Sequence, residues 1–147
     1  MKNQNSGFTL VEIMVVVFII SLLLSIVSLE GLRLRRIANE MNTQANLKSI
    51  ATSFEVYAAS HDGAYAAGEE ADLQFLVDAK YANIDFISQG PSGNFRYLAQ
   101  SISPAGYDIR AMAVNPILAE HNYQIVTGAK ILRSESSAPG DTNFKDF

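Results

Sequence analysis

The sequence predicts an α+β protein: a long N-terminal helix packed on a small antiparallel β-sheet head. Three observations predict it. Residues Phe8 to Leu29 form one apolar run broken by a single charge, Glu12. Residues 30 to 61 contain no proline and place apolar residues at helical spacing. Residues 94 to 133 alternate apolar and polar side chains in short runs separated by turn residues. Helix first and strands later is the order of an α+β layout.

The apolar run is the first element. At about 1.5 Å per residue it reaches roughly 33 Å as a helix, enough to cross a hydrocarbon core of about 30 Å. Apolar residues surround its axis, as lipid or a subunit bundle requires. A polar leader, residues 1 to 7, precedes it, with Lys2 as its only basic side chain. A secretory signal places small residues after the apolar core. Here Ser6 and Gly7 come before it, and no such site follows, so the run is expected to be retained.

The junction Ser6-Gly7-Phe8-Thr9-Leu10-Val11-Glu12, heading that run, resembles the prepilin signature of type IV pilins and type II secretion pseudopilins. The resemblance covers about residues 7 to 29. It implies cleavage by a prepilin peptidase between Gly7 and Phe8, N-methylation of the new Phe8 amine, and Glu12 as the intramembrane carboxylate of filament assembly. Many members have a proline in the second half of this helix and a C-terminal disulfide loop. This run has no proline, and the chain has no cysteine.

Glu12 also has a local reading. Thr9-x-x-Glu12 fits a capping box, in which each side chain answers an orphan backbone N–H. A carboxylate in the first turn suits the helix dipole as well. Yet an acid inside a bilayer costs about 2.5–3.5 kcal/mol on insertion scales and marks function. One Glu can cap in the monomer and pair in the polymer.

Residues 30 to 61 are expected to continue the same helix. Ile37, Met41 and Ala45, then Leu47, Ile50, Phe54 and Tyr57, read as one core stripe facing the sheet. Gly31 is the weakest point, and Asp62-Gly63 a stop. Arg33, Arg35 and Arg36 set the positive-inside rule, which places them in the cytoplasm, against the resemblance, which places the head outside. The resemblance is followed, leaving the arginines to lipid headgroups, to acidic residues of neighbouring subunits, or to solvent.

Residues 62 to 133 form the head. Asp62, Glu69, Glu70 and Asp72 carry oxygen ligands of the kind calcium takes, without a fixed-spacing loop motif, and read as a solvated turn. Asp72 can cap a short helix from Leu73 to about Ala79, with Leu73, Leu76 and Val77 inward. Tyr81 to Gly93 reads as a loop. Strand-like runs follow at Asn94–Ser101, Gly106–Val114, Tyr123–Val126 and Ile131–Arg133, the last two flanking a hairpin turn. This meander resembles the head of small pilins and pseudopilins. Residues 134 to 147 read as a loose polar tail.

Composition narrows the function. A net charge of −4 gives no basic signal for nucleic acid, and the absence of cysteine excludes disulfides and thiolate metal sites. His61 and His121 have no ligand spacing around them, and no phosphate loop or hydrolase motif is present. No enzyme, cofactor or metal is expected. The leading expectation is a structural subunit of a type IV pilus or pilus-like filament, with a type II secretion pseudopilin as the alternative. A major pseudopilin's calcium-loop pattern is not seen, which favours a pilus. An alternative of another class is a single-pass membrane protein whose head binds or regulates a partner. The resemblance implies as partners other copies of the chain, the peptidase, an inner-membrane assembly platform and, before assembly, lipid. It implies the bacterial inner membrane with the head outside the cytoplasm, then an extracellular pilus or periplasmic pseudopilus.

Overall fold

The computed structural model describes residues 8–66, 73–82, 93–138 and 140–146, without the side chains of 27–29. The leader, Gly7, the loop acids Glu69, Glu70 and Asp72, and most of the loop after Tyr81 lie outside the described residues. The chain divides into two compact units, Met1–Leu34 and Arg35–Phe147.

Helix α1 runs from Leu10 to Ser60 and passes through Gly31. It is long and apolar enough to cross a membrane. In the first unit its side chains from Leu10 to Ile26 are all exposed. The hydroxyls of Ser21 and Ser25 donate to the carbonyls of Val17 and Ser21, at 2.8 and 2.9 Å. Both polar groups are thereby answered within the helix, as an apolar solvent demands.

The second unit is built on the rest of α1. Helix α2 spans Leu73–Asp78. The strands are β1, Phe95–Ser103; β2, Gly106–Ala113; β3, Tyr123–Val126; β4, Lys130–Ser134; and β5, Phe144–Lys145. They form one antiparallel meander in sequence order. Leu47, Ile50, Ala51, Phe54 and Tyr57 of α1 pack with Phe95, Tyr97, Tyr107, Ile109, Ala111, Tyr123 and Ile125 of the sheet. The expected alternation holds in β2, whose Tyr107, Ile109 and Ala111 are buried. In β1 it fails after Tyr97, where the register shifts between Ala99 and Ser101. Such a bulge releases the following residues from the two-residue period.

Close approach fixes Gly106. A Cβ there would lie 2.1 Å from the Thr127 hydroxyl oxygen, which accepts from the Tyr107 backbone N–H at 2.9 Å. In the β3–β4 turn Gly128 and Ala129 both have positive φ. The Tyr107 hydroxyl steadies that turn by accepting from the Ala129 N–H at 3.3 Å.

Two expectations are corrected. Ile37, Met41 and Ala45 are exposed, Met41 by 65%, so the core stripe starts only at Thr43 and Leu47. Helical spacing alone does not say which of two apolar faces meets the sheet. The described residues from Ser134 onward, 134–138 and 140–146, are also not a loose tail. β5 pairs with β4, and Asn122, fully buried, points its Nδ2 at the carbonyls of Ser136, Ala138 and Asp141, 3.3–3.4 Å away. Its Oδ1 accepts from the Ala113 N–H at 2.8 Å. The Asp141 carboxylate accepts from the backbone and hydroxyl of Ser136 and from the Asn143 N–H. These bonds, the Asn143 backbone bond foremost, hold its carboxyl below the ordinary range.

Candidate functional site

The candidate site is the first turn of α1. Thr9 precedes the helix and caps it. Its hydroxyl accepts from the Glu12 N–H at 3.2 Å, and Glu12 Oε2 accepts from the Thr9 N–H at 3.0 Å. The Thr9 hydroxyl also donates to Glu12 Oε2, at 2.9 Å. This is the reciprocal capping box that the Thr9-x-x-Glu12 spacing allows. Two of the helix's orphan donors and one carboxylate oxygen are satisfied locally.

Among the described residues of the first unit, none covers this turn. Phe8 is 82% exposed, and Leu10, Val11, Ile13 and Met14 are exposed around Glu12. A shallow groove along the next turns is lined by Ile13, Met14, Val17, Phe18 and Ser21. Glu12 is the one ionisable residue between Phe8 and Leu29. A carboxylate so placed offers a negative charge and a strong acceptor inside an apolar surface.

Of the other singled-out residues, His121, His61 and Arg36 have structural partners in the head. His121 Nδ1 lies 3.0 Å from the Ser134 carbonyl. His61 Nδ1 lies 2.9 Å from the Tyr57 carbonyl, with its ring stacked on Tyr57. Arg36 donates from Nε to the Ile117 carbonyl, whereas Arg33 and Arg35 are exposed. Among the described residues no group of three or more His, Asp or Glu is placed to hold a metal.

Two residues that the sequence reading passed over tie α1 to the sheet. Glu40 accepts from the Glu120 and His121 N–H groups, at 2.6 and 3.2 Å, and from the Tyr123 hydroxyl at 3.0 Å. Glu55 accepts from the hydroxyls of Tyr107, at 3.1 Å, and Tyr65, at 2.9 Å. Burial raises the Tyr123 hydroxyl to about 12, with the Glu40 charge adding to it. Burial likewise raises Tyr107, helped by Glu55. Only the pairing of Glu40 and Glu55 with distant tyrosines marks them, and no local motif announces it.

Residues 2–28 match the family described as the prokaryotic N-terminal methylation motif. This is the prepilin signature of type IV pilins and pseudopilins, and it supports a pilin-like or pseudopilin protein in general. The match ends at residue 28, so it concerns the N-terminal segment and no part of the head. No curated protein and no solved structure matches the chain.

Proposed function

We propose that the protein is a structural subunit of a type IV pilus or pilus-like filament. A peptidase cleaves between Gly7 and Phe8, the Phe8 amine is methylated, and subunits polymerise through residues 8 to 29. Before assembly α1 anchors the chain in the bacterial inner membrane with the head outside the cytoplasm, and a membrane platform draws it into the filament. The carrying observation is Glu12: one carboxylate on an exposed apolar helix, one turn beyond Phe8, inside the matched motif. Cleavage would place a positive amine at Phe8. In staggered helices the amine of one subunit can meet the carboxylate of another. An unpaired buried charge costs several kcal/mol, so docking is favoured at the depth where both are answered. A pseudopilin of type II secretion would use the same step.

The test follows from the capping geometry. Glu12→Ala removes cap and charge, and Glu12→Gln keeps an acceptor for the Thr9 N–H while losing the charge. Both variants should insert and be cleaved normally, as read by intact mass and by immunoblots of the membrane fraction. Filament yield by microscopy should collapse for Glu12→Ala and be intermediate for Glu12→Gln. Normal filaments from Glu12→Ala would leave Glu12 as a helix cap only. Retained residues 1 to 7 in the native protein would favour an ordinary membrane anchor instead.

A further inference from the structure

Just past the apolar run, α1 carries Leu32, Arg33, Leu34, Arg35 and Arg36 in succession. All but Arg36 are exposed. Consecutive helical residues do not share a face, so basic and apolar side chains here surround the axis. Ion pairs among the described residues join Arg110, Lys130 and Lys145 to acids of the head, and none involves Arg33, Arg35, Arg36 or the nearby Glu30. The next acid, Glu40, is bonded to the head. Arg36 spends its Nε on the Ile117 carbonyl. Among the described residues no hydrogen bond or ion pair uses its outer nitrogens, or any nitrogen of the Arg33 and Arg35 side chains.

We propose that this collar binds anionic phospholipid headgroups of the membrane that the apolar run enters. The proposal rests on the membrane-anchor part of the reading above. Position is the first support. At about 1.5 Å per residue, Arg33 to Arg36 lie roughly 6 to 11 Å along the helix from Leu29. The headgroup layer is roughly 5–8 Å thick on each side of the hydrocarbon core, within reach of arginine side chains that bend back toward it. Charge is the second. Residues 30 to 37 hold three arginines against one acid, in a chain of net charge −4. This segment is therefore drawn to phosphate while the chain as a whole is not. Distribution is the third. A protein partner covers one side of a helix, whereas a headgroup layer surrounds it, as the collar's cations do. Leu32 and Leu34, 46% and 64% exposed, supply the apolar contact that an interface also offers.

The test uses the full-length chain in phosphatidylcholine vesicles. These hold, at equal mole fraction, either photoactivatable phosphatidylglycerol or photoactivatable phosphatidylcholine. Labelling by phosphatidylglycerol should exceed that by phosphatidylcholine at least roughly threefold, map to residues 30 to 40, and shrink in concentrated salt. The double variant Arg33→Gln/Arg35→Gln, which breaks no described bond of the head, should cut the excess to less than about half, and Arg33→Lys/Arg35→Lys should keep it. Equal labelling by the two lipids, or an excess that the glutamine variant leaves unchanged, overturns the proposal and leaves these arginines to protein carboxylates or solvent. Flotation separates the two readings. A chain that floats with the vesicles but shows no preference sinks the collar alone, and one that floats with neither composition sinks the anchor as well.

Discussion

Phe54 and Met41 separate the two faces of α1 by energy. Phe54 is fully buried, with its ring stacked on Tyr107 at 4.9 Å and 16°. Truncating such a side chain removes its burial and leaves a cavity, at about 3–5 kcal/mol. Against a typical domain stability of about 5–15 kcal/mol, that is a large fraction. The midpoint of thermal unfolding should fall by roughly 10–20 °C. Met41, 65% exposed, has little to lose, and Met41→Ala should stay within about 0.5 kcal/mol of the parent. The assay is near-ultraviolet circular dichroism of the full chain in detergent during heating. All six tyrosines lie at or beyond Tyr57, so the tyrosine bands report the head, and Phe8 and Phe18 of the apolar run contribute only phenylalanine bands. Equal melting of the two variants, or an unchanged midpoint for Phe54→Ala, would refute the assignment of faces.

Alkali should unfold the head before it reaches ordinary denaturing strength. Tyr65, Tyr97, Tyr107 and Tyr123 all have raised folded-state values, so the unfolded chain loses protons first. Stability is full below the ordinary tyrosine value of 10.0 and falls as pH rises toward about 12, where Tyr123 ionises in the fold. Across that window melting midpoints should fall while tyrosinate absorbance rises; a flat midpoint profile contradicts the burial. Asn122→Ala strands the Ala113 N–H and frees the carbonyls of Ser136, Ala138 and Asp141, at a cost of about 1–3 kcal/mol. Hydrogen exchange should quicken at Ala113 and across residues 134 to 141, and unchanged exchange there would show that Asn122 does not hold the segment.

Elements governed by local pattern were legible in the sequence. The helix end near Ser60, α2 and four strands lie within a few residues of expectation, because periodicity and turn residues specify them directly. What escaped depends on distant partners. β5 is two residues long and exists by pairing with β4, and the order after Ser134 depends on Asn122, far from it in sequence. The stripe at Ile37, Met41 and Ala45 is exposed although it was expected in the core, because an apolar helix face left open and one packed on a sheet obey the same spacing. Glu40 and Glu55 looked like ordinary surface acids, since their tyrosine partners arrive from the sheet.

The N-terminal turn shows the limit differently. The spacing Thr9-x-x-Glu12 carried both readings of Glu12, and the structure realises the cap. That outcome bears on the proposed pairing, because the monomer's carboxylate is already answered by two donors of Thr9. Entering an apolar phase is then less costly than for a bare carboxylate. An incoming amine must compete with those donors, whose bonds to the ionised carboxylate are already charge-assisted; what it adds is a full positive charge, which neither Thr9 donor carries. The net preference for the pair therefore rests on charge rather than on hydrogen-bond count, which is why Glu12→Gln, with the cap retained and the charge gone, is the informative substitution.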